Sequence, residues 1–170
     1  MCREGACVEL LSEDCPRVVG DFANDNAIPI GTLLSIKGPN AATGEARQNS
    51  IEVAHEELTT NAVGLPGGAG GAPRPLVLVE CDDSASASRA ATHLVDRVRV
   101  PVILGAGASG TTLTVAQEVT IPKGVLLFAP SATSPALTTL QDNGLVWRSA
   151  PSDALQAVAL VDAMESMEAR

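Results

Sequence analysis

Five short apolar runs punctuate the chain at Ile28–Ile36, Leu76–Glu80 (LVLVE), Pro101–Gly105 (PVILG), Gly124–Ala129 (GVLLFA) and Leu145–Ser149 (LVWRS). Between and after them lie segments of helical periodicity. Glu45–Leu58 repeats Ala46, Ile51, Ala54 and Leu58, with Asn49, Glu52 and Glu56 opposite. Ser84–Val98 carries Ala87, Ala91, Leu94, Val95 and Val98 on one face. Thr111–Val119, the short Ser134–Leu140 and a last segment from Asp153 towards Met167 complete the series. Uninterrupted apolar strands alternating with helices of about 10–15 residues are the pattern of βαβ units. The fold class is therefore α/β: a doubly wound, mostly parallel sheet with helices on both faces, a three-layer αβα arrangement. Such open sheets bind ligands outside the carboxyl ends of their strands, at a switch point of strand order. Four loops qualify: Ser35–Thr43, Gly105–Gly110, Ala129–Pro135 and Ser149–Asp153.

Composition narrows the ligand. The net charge is −9, and Lys37 and Lys123 are the only lysines, so no basic stripe exists for nucleic acid. Anionic membrane surfaces are disfavoured on the same ground. The aromatic residues are Phe22, Phe128 and Trp147, with no tyrosine. The core must be aliphatic, and stacking platforms for bases or sugars are nearly absent. No apolar run approaches the roughly 20 residues of a membrane span.

Residues 1–27 mix charges, cysteines and Asn/Asp without periodicity and read as an irregular leader; 64–75 (GLPGGAGGAPRP) reads as a flexible surface loop. Three of the four cysteines, Cys2, Cys7 and Cys15, crowd that leader without a C-x-x-C pair, so a zinc site is not expected. They are free thiols, or they staple the N-terminal loop of an exported protein, one pair at a time with an odd thiol left over. The chain lacks the charged and apolar regions of a signal peptide, which taken literally means the cytosol. The cysteine cluster points the other way, to an exported protein whose start lies upstream.

Three motifs look catalytic and fail on their own requirements. Gly105–Gly110 (GAGASG) is a literal G-x-G-x-x-G, but a dinucleotide site needs an acid at the end of the next strand, which reads Phe128-Ala129-Pro130-Ser131. Taken with Thr111 and Thr112 the segment resembles a phosphate-binding loop without its lysine. Cys81-Asp82-Asp83 suggests the acidic pair of a receiver, yet the next strand ends Leu104-Gly105-Ala106 without a phosphoacceptor; Asp83 or Ser84 is better placed to cap the following helix. His55 and His93 sit mid-helix as structural residues, and Gly107-Ala108-Ser109-Gly110 is not a nucleophile elbow. No catalytic residue, metal ligand or cofactor is expected, and the protein is not read as an enzyme. What remains is a set of hydroxyls: Ser109 on the third loop, and Ser131, Thr133 and Ser134 on the fourth. They either cap helices or hold a carboxylate, and several on two adjacent loops exceed what capping needs. Asp153 either pairs with an ammonium group or starts the last helix. Hydroxyls for a carboxylate beside one acid would suit an amino acid.

The same residues carry a resemblance. IGTLLSIKGPNAATG, Asp82-Asp83-Ser84, PVILGAGASGTT, GVLLFAPSATSPALTTL and LVWRSAPSDALQA, in that order, resemble the first lobe of type I periplasmic binding proteins, in the leucine/isoleucine/valine-binding branch that serves ABC transporters. Metabotropic glutamate receptor ligand-binding domains share this fold. The likeness runs from about Ile30 to the end. It implies that Ser109, with the adjoining Gly110, meets a ligand α-carboxylate. It further implies that Ser131 and Thr133 hold carboxylate and amine, and that Asp153 meets the ammonium. Near Thr43 some relatives place an aromatic ring over the ligand side chain; here the residues are Thr43-Gly44. The organisation expected is a leader 1–27, a ligand-binding first lobe 28–150, and a helix 151–170 leading to a second lobe that this sequence lacks. The function implied is non-catalytic binding of an amino acid or related carboxylate for uptake or sensing. The implied location is the periplasm or cell envelope, with an ABC permease as protein partner. A dinucleotide enzyme built on GAGASG, or an interaction domain that binds no ligand, is the alternative.

Overall fold

A computed structural model describes residues 1–3, 6–62, 64–67 and 70–167. Strands β4 (Ile28–Leu34), β5 (Leu76–Asp82), β6 (Val102–Gly105), β7 (Leu126–Ala129) and β8 (Val146–Arg148) form a parallel sheet. β3 (Arg17–Val19) joins its edge antiparallel to β5, giving the order β3-β5-β4-β6-β7-β8. Every residue of β5 is buried, as a strand covered on both faces requires. Pro29 lies in central β4, but the ladder to β6 begins only at Gly31, so the missing N–H falls where β4 has one neighbour. Helix α1 (Ala41–Ala62) connects β4 to β5. Helix α2 (Ala87–Thr92) continues as a wider turn through His93–Val98 and crosses over β4 to reach β6. Helix α3 (Ser109–Val115) runs on through Ala116–Thr120 into α4 (Ile121–Lys123) and ends at Gly124, whose φ of +69° is the left-handed cap that glycine adopts freely. The main core gathers Leu33, Val79, Leu94, Val98, Ile103, Val115 and Leu127, an aliphatic set as composition demands. Gly31 makes room for α2, since a Cβ there would lie 2.7 Å from Leu94 Cδ1.

Several expectations are corrected. The segment before β4 is tied into the fold. Leu10 and Cys15 are core residues, β1 (Cys2–Arg3) pairs with β2 (Ala6–Cys7), and buried Asp14 accepts from Arg89 Nε and Nη2 at 2.5 and 2.7 Å. The Arg89 guanidinium holds the Asp14 carboxyl below its ordinary range, against the opposing effect of burial. The cysteines leave no odd thiol: Cys2 bonds Cys7, and Cys15 bonds Cys81 inside the core. Closing a loop over a separation of 66 residues removes chain entropy worth about 4 kcal/mol from the unfolded state. The cap of α2 is Ser86, not Asp83 or Ser84.

The inward face of α1 also differs. Ala46 and Ala54 are exposed and Leu58 is 40% exposed, whereas Gly44, Gln48 and His55 are buried. The strands dictate this rotation by presenting polar groups under the helix. Thr32 Oγ1 donates to Gln48 Oε1 at 2.7 Å, and His55 Nε2–H donates to the Leu76 carbonyl at 2.9 Å. His93 Nε2–H likewise donates to the Leu10 carbonyl at 3.0 Å. In the 64–75 segment, Leu65 and Arg74 exchange two backbone hydrogen bonds of 2.8 Å; Gly68 and Ala69 lie outside the described residues. Helix α5 (Asp153–Ser166) carries Leu155, Val158, Leu160, Val161 and Met164 exposed; residues 168–170 of the expected terminal helix lie outside the described residues. No described helix is long and apolar enough to cross a membrane.

Glu80 is the least comfortable member of the layer beneath α1. It is 2% exposed, one oxygen accepts from Arg17 at 3.2 Å, and the other has no partner. Burial first, and then the charge of Glu52, push its carboxyl above the ordinary 4.5, while Arg17 pulls it back. A raised carboxyl keeps its proton in the fold after the unfolded chain has lost it. Stability therefore declines as pH rises through and above 4.5, and the penalty persists at neutral pH. Glu80→Gln should raise the melting temperature at pH 7 and flatten that decline in melts from pH 4 to 8, because Arg17 keeps its two bonds to Glu52. An unchanged pH profile would show that Glu80 is not the group responsible.

Candidate functional site

The strand order reverses at β4: the chain leaves it for β5 on one side and returns to β6 on the other. Outside the carboxyl ends of β4, β6, β7 and β8 stand the four loops expected from the sequence. The GAGASG loop lies between the loops that follow β4 and β7. Its glycines are needed for close approach. A Cβ on Gly105, at φ +150°, would collide with the Leu33 carbonyl, and one on Gly107 would lie 2.5 Å from Arg47 Nη1. Gly110 is different, being exposed with nothing near a would-be Cβ. The motif thus serves packing of one loop on another, and β7 ends at Ala129 without the acid a ribose would need.

Ser109 joins the two central loops. Its Oγ accepts from Thr133 N at 3.1 Å and from Ser134 N at 3.2 Å, which leaves its own O–H to donate. Ser131 Oγ donates to the Gly107 carbonyl at 2.8 Å, so that hydroxyl fixes the loops rather than waiting for a ligand. The Thr133 carbonyl accepts from Asp153 N at 2.9 Å, tying the first turn of α5 to the same cluster. Ser152 caps α5, so Asp153 is a first-turn acid and not the cap. Arg148 Nη1 donates to the Ser134 carbonyl at 2.8 Å, and Ser149 Oγ to the Pro130 carbonyl at 3.0 Å. The Thr133 hydroxyl and the Asp153 carboxylate make no hydrogen bond or ion pair among the described residues. Ser109, Ser131, Thr133 and Asp153 are therefore brought together, with one donor hydroxyl, a second free hydroxyl and one acid uncommitted.

Thr43 lies on the other side of the GAGASG loop. It borders a cleft of about 190 Å³ with Ser35, Asn40, Arg47, Gly107 and Ala108. The approach is close because Gly44, buried in α1, has no side chain to meet the Ser35 carbonyl. Behind the cleft, Ser35 Oγ donates to Asp83 Oδ1 at 2.5 Å. Burial pushes the Asp83 carboxyl up; the Ser35 hydrogen bond opposes it, Asp82 adds repulsion and Arg47 attraction. Asp82 accepts from the backbone of Ile36 and Ser84 at 3.2 Å and from Ser84 Oγ at 2.7 Å. The acidic pair is thus a strut that holds the β4 loop. Sequence reasoning missed Arg47, although its position four residues after Thr43 puts both on one face of the helix. Two larger clefts, of about 680 and 500 Å³, lie between the N-terminal segment and the turn that continues α2, around His93, Asp96 and Arg97, away from the carboxyl edge.

A family profile described as periplasmic binding protein matches residues 27–170. The chain belongs to that family. Among solved structures, it is similar to a branched-chain amino acid transporter substrate-binding protein of Streptococcus pneumoniae, in complex with isoleucine, at 30% identity and TM-score 0.63. That match covers 75% of this chain and 34% of the other. It is similar to a leucine-binding protein of Thermotoga maritima at 27% identity and TM-score 0.67, covering 84% and 38%. A third similar structure is an ABC transporter substrate-binding protein of Desulfitobacterium hafniense in complex with Leu, at 26% identity and TM-score 0.67, covering 83% and 39%. The chain thus spans little more than a third of these relatives' length. A search of curated proteins matched none.

Removing the Ser109 hydroxyl would strand two half-buried backbone N–H groups. Ser109→Ala should therefore cost about 1–3 kcal/mol in urea unfolding. It should also accelerate hydrogen exchange at Thr133 and Ser134. Unchanged exchange at those two amides would refute the bridging role.

Proposed function

We propose that this chain is a non-catalytic solute-binding lobe that takes the carboxylate and ammonium of an amino acid, or a related carboxylate. In this reading it is the substrate-binding component of an ABC uptake or sensing system at the periplasm or cell envelope, with a permease as its protein partner. The observation that carries it is the Ser109 hydroxyl, fixed by two backbone donors with its proton unspent, beside the uncommitted Thr133 hydroxyl and Asp153 carboxylate. The hydroxyls suit a carboxylate, and the acid suits an ammonium. Two of the similar proteins named above were solved in complex with isoleucine and with Leu, which supports an amino-acid-like solute. A non-catalytic reading is supported by where the perturbed groups lie. Asp14, Arg17, Glu80 and Arg89 sit in structural ion pairs, and Asp83 is bound to Ser35, so none stands at a reacting centre.

The lobe holds the solute from one side. Each polar contact of this kind contributes about 0.5–1.5 kcal/mol in water, and association costs at least about 4 kcal/mol of lost freedom. Binding by these 170 residues alone should have a dissociation constant of about 1 mM or weaker. Titration of ¹⁵N-labelled protein with amino acids, followed by ¹H–¹⁵N spectra, should shift the amides of Ser109, Thr133 and Asp153. Absence of any shift there at tens of millimolar would overturn the reading, and micromolar binding would overturn its one-sided energetics.

A further inference from the structure

The sheet is covered unevenly. On one face α2 and α3 pack against Leu33, Ile103 and Leu127. On the other, α1 lies over β4 and β5, where Gln48 accepts from Thr32 and His55 donates to the Leu76 carbonyl. Beyond α1 that second face continues across β6, β7 and β8 as Val102, Leu104, Leu126, Phe128 and Trp147, which register places side by side. None of the five is buried, and Trp147 is 59% exposed. A parallel sheet takes helices on both faces, so this half lacks one. Helix α5 has the opposite defect, since none of its residues is buried. Ala157, Leu160, Val161 and Met164, with Met167 just beyond, recur at intervals of three and four, an apolar stripe with nothing beneath it. Buried Ser152 caps α5, and Asp153 N donates to the Thr133 carbonyl at 2.9 Å. These bonds fix the first turn at the carboxyl edge, and the stripe does not reach its own sheet.

We infer that two copies of this chain associate reciprocally, the α5 stripe of each lying across the open half-sheet of the other. The inference is independent of the solute-binding reading. The dimensions fit it. A helix of 14 residues is about 21 Å long, more than the width of three strands spaced about 4.8 Å apart. Scaled by their exposures, Leu160, Val161, Met164 and Met167 against Phe128 and Trp147 cover on the order of 400 Å² in one such contact. The half-buried Val102, Leu104 and Leu126 add to it. A two-fold exchange makes the contact twice, about 1,000 Å² in all, the size at which an interface becomes specific.

Trp147 is the only tryptophan, so its fluorescence reports on the sheet half of the contact. Sedimentation equilibrium of the 170-residue protein should show a monomer–dimer equilibrium with a dissociation constant of about 10 μM. Emission should move to shorter wavelength as concentration rises through that range. The double variant Leu160→Glu, Met164→Glu changes exposed positions that the fold does not bury. It should weaken the dimer at least about tenfold and hold the emission at its dilute-solution wavelength. Trp147→Ala should weaken the dimer as well. A monomer at every concentration would overturn the inference, as would a dimer whose Trp147 emission never moves, the mark of α5 pairing with α5. Emission at short wavelength that is independent of concentration would overturn it too, because α5 would then be folded onto its own sheet.

Discussion

Everything at the carboxyl edge depends on the reversal of winding at β4. The chain goes from β4 to β5 on one side, and α2 carries it back over β4 to β6 on the other. Between parallel neighbours wound in opposite directions no helix crosses the gap, so the loops there are free to approach one another. The approach is close enough to require glycine at Gly44, Gly105 and Gly107, each of which would otherwise drive a Cβ into a neighbouring carbonyl or the Arg47 guanidinium. The shape of this edge is a consequence of strand order first and of side chains second.

Polar groups then divide into those that build the edge and those left over. Ser131, Ser149, Arg148, Asp82 and Asp83 are consumed in fixing loops to one another. Ser109 does both: its oxygen builds, and its proton remains. Thr133, Asp153, Thr43 and Arg47 are the remainder. These unpaired groups line both flanks of one loop, and among them are the groups on which the proposed function rests. Glu80 and Gln48, each with an unpartnered polar atom, are buried beneath α1 instead and belong to the packing of that helix on the sheet.

The layered fold was legible because its signal is coarse. Runs such as Leu76–Glu80 and Gly124–Ala129 are apolar on both faces, and β5 and β7 appear within two residues of them. The adjacency of Ser109 and Thr133 was legible as well, since consecutive parallel strands β6 and β7 pair directly. Three features were not. The rotation of α1 follows from Thr32 and the Leu76 carbonyl seeking partners, a demand that apolar periodicity does not register. The place of the N-terminal segment follows from a pairing between Cys15 and Cys81, and no spacing rule specifies a partner that far along the chain. Arg47 was hidden because a charged residue on a helix ordinarily faces water, and only the missing side chain of Gly107 brings it into the cleft.

The central claim of the proposed function is that an amino-acid solute is held at the carboxyl edge by Ser109, Thr133 and Asp153. Intermolecular nuclear Overhauser contacts from a ¹³C-labelled amino acid such as leucine to the protein would locate it directly. The account predicts contacts from the ligand α-proton to Ser109, Thr133 and the first turn of α5 at Asp153. Contacts confined to the cleft around Cys7, His93 and Arg97 would contradict it, and would move the binding site from the carboxyl edge to the seam between the N-terminal segment and α2.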